Sequence, residues 1–137
     1  QDIALADVQK GADMFRKVHT PILGVIENMS NLQLTGKIKV TNQNNTENNS
    51  LKIDGIDDEI NVNPDGSFSI NINLFKSGGG LKESKRLDVP LLGQIPISVK
   101  MMHSTDKGKP IILSNPQEPV SNLFRDIAKK IQSQLID

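Results

Sequence analysis

The hydrophobic positions follow a helical period at both ends of the chain. Over residues 2–18, apolar side chains recur at spacings of three and four: Leu5, Val8, Ala12 and Phe15. Over residues 120–135 they form one continuous stripe: Val120, Leu123, Phe124, Ile127, Ala128, Ile131 and Leu135. Such spacings place apolar side chains on a single face of a helix. We therefore predict an amphipathic helix at each end.

Two short runs between these helices are apolar without alternation. They cover residues 22–26, directly after Pro21, and residues 90–96. Strands that helices cover on both faces show this pattern, so we predict two parallel strands of an α/β sheet. For residues 109–113 we predict either a short edge strand or an extended segment that enters the last helix.

The middle of the chain, residues 31–73, alternates apolar and polar positions. The alternation is strictest over residues 60–72, around the turn sequence Pro64-Asp65-Gly66. Alternation with such a turn indicates antiparallel hairpins. Within this region, the Asn-rich residues 41–50 predict a disordered tip.

These patterns predict three segments. They are a first α/β segment (1–30), a β-rich, Asn-rich insertion (31–73) and a second α/β segment (74–137). The glycine-rich residues 77–80 predict a flexible return from the insertion into the second α/β segment.

The composition narrows the function classes. The 137 residues include 16 basic and 16 acidic side chains, so the net charge is zero. A neutral chain with 3% aromatic residues lacks both the charge and the stacking surface that nucleic-acid binding needs. No apolar run approaches the roughly 20 residues of a membrane span. We predict neither a nucleic-acid partner nor a membrane-spanning segment.

The chemistry of the side chains excludes several site types. The chain has no cysteine, which removes disulfides, thiolate metal sites and cysteine nucleophiles. His19 and His103 are far apart and lack ligand spacing, so we assign no metal ligand. No G-x-x-x-x-G-K-[ST] sequence occurs, and Gly78-Gly79-Gly80 lacks the lysine and hydroxyl of a phosphate loop. We assign no catalytic residue and predict that this chain alone does not hydrolyse nucleotide.

Three sequence blocks, in order, resemble the Mrp/ApbC family of iron–sulfur cluster carrier ATPases, which are MinD/ParA-like P-loop NTPases. The first is residues 1–30, ending in Pro-Ile-Leu-Gly-Val-Ile-Glu-Asn-Met-Ser; the second is Val-Pro-Leu-Leu-Gly-Gln-Ile-Pro-Ile over residues 89–97. The third is residues 104–111 together with residues 124–128. The resemblance implies the C-terminal half of a P-loop NTPase: a mostly parallel sheet with flanking helices, interrupted here by a small antiparallel β insertion.

The resemblance also implies a function. Such proteins are intracellular, homodimeric ATPases of the bacterial cytoplasm or mitochondrial matrix. They use ATP and magnesium and pass a 4Fe–4S cluster to iron–sulfur apo-proteins. In the family, the phosphate loop and the magnesium carboxylate precede the block that begins here at Gln1.

The resemblance implies that this chain contains the base-binding side of the nucleotide pocket. In related ATPases an asparagine at the position of Asn28 contacts the base, and the loop after the next strand, here Ile95, Pro96 and Ile97, packs beside it. A carboxamide can pair with both a donor and an acceptor on adenine. The alternative is that Asn28 caps a turn through its own backbone.

The chain departs from the family pattern directly after Ser30. There the family carries a Cys-x-x-Cys pair that binds the cluster, whereas this chain has residues 31–73 and no cysteine. A cluster bound in the family's manner is therefore excluded. Our leading interpretation is part of an ATP-binding iron–sulfur cluster carrier or assembly protein. The alternatives are a non-catalytic scaffolding module that displays the insertion and a MinD/ParA-like ATPase without a cluster.

Overall fold

The computed structural model describes residues 2–39, 50–56, 59–75 and 78–135. The elements of these residues, in chain order, are α1 (Asp2–Lys17), β1 (Val25–Lys37), β2 (Ser50–Leu51), β3 (Ile60–Asn61), β4 (Ser67–Ile72), α2 (Gly79–Leu87), β5 (Leu91–Ser98), α3 (Val99–Asp106), α4 (Ile111–Ser114) and α5 (Pro119–Gln134). The predicted α/β class is confirmed. Of the tip predicted over residues 41–50, only Ser50 is described, and it begins β2; the rest lies outside the described residues.

Strand β1 is the centre of the main sheet, whose order is β4-β1-β5. Its first half runs parallel to β5, with Asn28 opposite Ile95. Its second half pairs antiparallel with β4, from Leu32 opposite Ile72 onward. One long strand therefore joins the parallel pair to an antiparallel pair; we refer to the β1–β4 pair, whose connection contains β2 and β3, as the hairpin.

The strand predicted over residues 22–26 starts too early and is much too short. The observed strand, β1, begins at Val25 and continues to Lys37 because β4 supplies hydrogen-bond partners to its second half. The division between residues 30 and 31 falls inside this strand, and the three-segment organisation stays a prediction.

Helix α5 covers one face of β5 and forms the main core with it. The buried cluster consists of Leu92, Ile95, Ile111, Val120 and Ile127. The strand comes so close to the helix that a Cβ atom on Gly93 would lie 2.7 Å from Ile127 Cδ1, so any larger residue there would displace the Ile127 side chain. The helix predicted over residues 120–135 is confirmed.

Three helices differ from the sequence prediction. Helix α2 begins at Gly79, where we expected a flexible return, and α3 was not predicted at all. The edge strand considered for residues 109–113 is wrong, because Ile111–Ser114 is a one-turn helix. The fully buried Ser121 hydroxyl holds this turn by donating to the carbonyl oxygens of Ile111 (3.2 Å) and Asn115 (2.7 Å). A tertiary contact of this kind leaves no local sequence signal.

Polar contacts hold α1 to α2. The Glu83 carboxylate is 1% exposed and accepts two hydrogen bonds from Arg86, at 2.7 and 2.9 Å. Arg86 also reaches Asp13 of α1 at 2.8 Å. The hydrogen bonds from Arg86 hold the pKa of Glu83 below its usual value. By contrast, Val8 and Phe15, which the helical pattern placed on an apolar face, are exposed. The predicted helix is confirmed, but of its apolar face only Ala12 is buried by the described residues.

The predicted Pro64-Asp65-Gly66 turn forms at the start of β4. The Gly66 N–H donates to the Asn63 carbonyl at 2.8 Å, and Gly66 has a φ of 82°, a conformation that favours glycine. The Asp65 carboxylate accepts from the Ser67 N–H (3.0 Å) and the Ser67 hydroxyl (2.6 Å). The turn is therefore fixed by its own polar side chains.

In the folded protein, Asp65 is expected to stay ionised at pH values well below the usual pKa of an aspartate. The Ser67 hydroxyl, the Ser67 N–H and Lys37 together lower its pKa from 3.8 to about 2. A depressed folded pKa stabilises the turn above pH 3.8, and this stabilisation is lost as the pH falls through about 2. Carbon-13 NMR titration of the carboxyl group measures this directly.

Two variants test the assignment of the Asp65 shift. Ser67→Ala should raise the pKa of Asp65 more than Lys37→Met does, because the serine hydroxyl has the larger influence. A parent midpoint at 3.8 would contradict the hydrogen-bonded turn.

Candidate functional site

Ligands of open α/β folds bind where parallel strands end. The parallel pairing of β1 with β5 extends to Gln33–Ser98 but is interrupted by a bulge after Asn28–Ile95. Here Asn28 lies directly opposite Ile95, so the structure brings together the residues singled out in the sequence: Asn28, Ile95, Pro96 and Ile97. All four lie within strands. The expectation that Asn28 follows its strand, and that residues 95–97 form a loop, is corrected, because β1 continues to Lys37 and β5 to Ser98.

Strand β1 bulges immediately after Asn28. From Asn28 to Leu32 it advances four residues, while its partner advances only two, from Ile95 to Ile97. Within the bulge Met29 has a φ of 55°, which is uncommon for a residue other than glycine. Bulges beside binding sites redirect side chains and end regular pairing. The irregularity therefore lies where a ligand would approach the sheet.

The Asn28 side chain is exposed, and its orientation is set by its own backbone neighbour. Its Oδ1 accepts a hydrogen bond from the Met29 N–H at 3.0 Å, the local contact that the turn-capping interpretation expects. A carboxamide oxygen has a second lone pair, and Nδ2 carries two donors. The contact with Met29 thus fixes the amide while leaving hydrogen-bonding capacity for a ligand.

The three β5 residues present different groups at this end of the sheet. The Ile95 side chain is 6% exposed and belongs to the core beneath α5, so only its backbone is available to a ligand. Pro96 is buried and Ile97 is half-buried. Any recognition by residues 95–97 therefore depends on backbone groups and on the surface of the proline ring.

Glu27 joins three elements next to Asn28. Its Oε1 accepts from the Gly80 N–H at 3.2 Å, and its Oε2 accepts from Gln94 Nε2 at 2.6 Å. A carboxylate at the first turn of α2 also complements the helix dipole. The close approach requires glycine, since a Cβ atom on Gly80 would lie 2.7 Å from Glu27 Cβ. Glu27 therefore anchors β1 to α2 and β5 just before Asn28.

A cleft of about 320 Å³ opens beside the bulge. Its lining combines uncharged polar side chains with proline and leucine surfaces: Ser30, Asn31, Gln33, Asn71, Gln94, Pro96, Pro119 and Leu123. Of the four residues predicted from the sequence, only Pro96 lines it. The other lining residues were not predicted. Gln33 and Asn71, for example, lie in residues 31–73, which were predicted to be a separate insertion.

A second cleft, of about 280 Å³, shares Gln33 and Pro119 with the first. It also includes Lys100 and Glu118, whose side chains form an ion pair. The two clefts therefore adjoin each other, and the charged groups of the second cleft are paired.

The described residues show neither a metal cluster nor a membrane helix. No group of three or more histidine, aspartate or glutamate side chains in this part of the chain could hold a metal ion. No helix within the described ranges is long and apolar enough to cross a membrane. The chemistry that the site offers is hydrogen bonding and apolar contact.

Comparison with known proteins identifies similar sequences along nearly the whole chain. The iron-sulfur cluster transfer protein NUBPL of Dictyostelium discoideum is 32% identical over 98% of this chain and 32% of its own length. The iron-sulfur cluster carrier protein of Escherichia coli is 29% identical over 98% of this chain and 28% of its own length. NUBPL of Mus musculus is 28% identical, with 98% and 33% covered. The chain therefore spans about a third of the length of these curated relatives.

The family assignment rests on a broader match. A family model described as "ParA: NUBPL iron-transfer P-loop NTPase" matches residues 1–55 and 46–132. The resemblance drawn from residues 1–30, 89–97 and 104–111 with 124–128 is thereby confirmed. This chain belongs to the ParA family of NUBPL-type iron-transfer P-loop NTPases.

Proposed function

We propose that this chain forms the base-side wall of an ATP site in an iron–sulfur cluster carrier. The observation that carries the proposal is the position of Asn28, which lies opposite Ile95 directly before the bulge that interrupts the parallel pair, with its amide already oriented by Met29. A side chain fixed before binding loses less conformational entropy when a ligand arrives.

The residues present fit an adenine base. Asn28 offers two donors and one remaining acceptor position to the base edge. The backbone of Ile95 and Ile97 and the ring of Pro96 would form the adjoining wall. The chain contains no phosphate loop, so its residues do not fit the triphosphate or magnesium, and no hydrolytic step is derived for it.

The iron–sulfur cluster enters the proposal as cargo. The relatives are named as iron-sulfur cluster carrier or transfer proteins. Because this chain has no cysteine, thiolate ligands for a 4Fe–4S cluster do not come from it. The proposal includes homodimeric assembly, iron–sulfur apo-proteins as clients, and an intracellular setting in the bacterial cytoplasm or mitochondrial matrix.

The absence of cysteine favours a second candidate function. A MinD/ParA-like ATPase that carries no cluster would need the same base wall and no thiolate. Both candidates require nucleotide binding at Asn28, whereas a non-catalytic scaffold that displays residues 31–73 does not.

Asn28→Ala is expected to weaken ATP binding to the full-length protein about tenfold, the effect of losing one or two hydrogen bonds to the base. Isothermal titration calorimetry measures the Kd. Asn61→Ala is the matched control, because Asn61 is an exposed strand asparagine in β3, outside the proposed site. Equal Kd values for Asn28→Ala, Asn61→Ala and the parent would refute the base-wall proposal.

A further inference from the structure

We propose that the β1–β4 hairpin is part of the ligand site, with Gln33 and Asn71 hydrogen-bonding to polar atoms of the nucleotide base that Asn28 does not engage. This inference rests on the proposed function and extends it to residues outside the family blocks. The two side chains belong to register partners, since Gln33 of β1 lies directly opposite Asn71 of β4. Both line the 320 Å³ cleft that also contains Pro96.

Cross-strand pairing explains why these two amides act together. Directly opposite residues of an antiparallel pair have Cβ atoms roughly 5 Å apart and lie on the same face of the sheet. The hairpin therefore presents two carboxamides side by side, on the strand that carries Asn28. The hairpin and the parallel sheet share one wall of the cleft.

The hydrogen-bonding capacity of Gln33 and Asn71 is not used within the described part of the chain. Two other amides of the cleft are already engaged: Gln94 donates to Glu27 at 2.6 Å, and Asn31 accepts from Ser30 at 3.3 Å. Gln33 and Asn71 make no side-chain hydrogen bond with any described residue. They are therefore the two amides of the cleft whose full hydrogen-bonding capacity is available to a ligand.

The lining favours a neutral heterocycle over a charged group. No lining side chain is charged, and four are carboxamides: Asn31, Gln33, Asn71 and Gln94. The nearest charges in the adjoining cleft, Lys100 and Glu118, neutralise each other. Pro96, Pro119 and Leu123 supply the apolar surface against which a flat ring can lie. Small-molecule sites combine such surfaces with a few polar groups at volumes of roughly 300 Å³ and above.

Carboxamides also imply which base is preferred. An asparagine or glutamine amide pairs with adenine through one donor and one acceptor, whereas guanine presents two acceptors that suit arginine or lysine. The pair of Gln33 and Asn71 is therefore expected to favour ATP over GTP.

The test compares ATP and GTP binding to the full-length protein. The double variant Gln33→Ala/Asn71→Ala should weaken ATP binding about tenfold, through lost neutral hydrogen bonds, and should weaken GTP binding less. A structural defect would reduce both affinities equally. The ratio of the ATP affinity to the GTP affinity therefore distinguishes a loss of base recognition from a folding defect. Ser69→Ala is the control, because Ser69 is exposed two residues before Asn71 on β4 and does not line the cleft.

A second variant keeps the proposal testable if the double variant is unstable. Gln33→Glu preserves the shape of the side chain but removes its hydrogen-bond donors. It should lower the ratio of ATP affinity to GTP affinity and leave the circular dichroism spectrum unchanged. Parent-like ATP and GTP affinities in the hairpin variants, with Asn28→Ala still weakened, would overturn the hairpin inference and leave the base wall intact. Parent-like affinities in Asn28→Ala as well would overturn both.

Discussion

Replacing Arg86 by methionine is expected to lower the free energy of unfolding clearly more than the loss of an exposed ion pair does, because it leaves the Glu83 carboxylate buried without a counter-charge. Glu83 is 1% exposed, and two hydrogen bonds to Arg86, at 2.7 and 2.9 Å, compensate for its burial. The same substitution removes the contact with Asp13 and so loosens α1.

Urea unfolding followed by circular dichroism measures this loss. Lys10→Met is the matched control, because it breaks the Lys10–Asp7 pair, whose side chains are 82% and 73% exposed. Exposed pairs contribute little, so the control should change the free energy by less than about 0.5 kcal/mol. Adding Glu83→Gln to Arg86→Met should recover much of the loss by removing the unpaired charge. An Arg86→Met effect no larger than that of Lys10→Met would contradict the buried pair.

Leu92→Ala is expected to destabilise the protein by about 3 kcal/mol, the sum of lost burial and of the cavity left behind. Leu92 is 3% exposed and packs in the cluster with Ile95 and Ile127 beneath α5. On its other side it touches the backbone at Gly24, where a Cβ atom would lie 2.5 Å from Leu92 Cγ. Two rigid neighbours leave little room for the surroundings to collapse into the cavity.

The same urea experiment tests the core prediction. Leu113→Ala is the control, since Leu113 is 75% exposed and its truncation should change stability by less than about 0.5 kcal/mol. Similar unfolding curves for the two leucine variants would show that the cluster beneath α5 is not the stabilising core.

The sequence predicts the elements whose pattern is local. Periodicity predicts helices α1 and α5, a continuous apolar run predicts strand β5, and the composition of residues 64–66 predicts the Asp65 turn. Elements held by distant partners escaped. Strand β1 is long because β4 pairs with it, and α4 is a single turn held by Ser121, so neither has a pattern of its own.

The residues of the candidate site also divide into those that the sequence predicts and those that it does not. Asn28 and residues 95–97 could be selected from the family resemblance, and the parallel pairing places Asn28 opposite Ile95. Their roles in binding stay predictions. Gln33 and Asn71 gave no signal, because the property that matters is their pairing across two strands that are far apart along the chain.

The bulge in β1 limits which changes of length this protein can accept. Side chains of a strand alternate between faces, so a change of one residue between Asn28 and Leu32 would turn every later side chain of β1 to the opposite face. Gln33 would leave the cleft, and Leu34 would lose its partner Ile70. A change of two residues keeps the faces and alters only the bulge. We therefore expect insertions and deletions at this point of the chain to be accommodated two residues at a time.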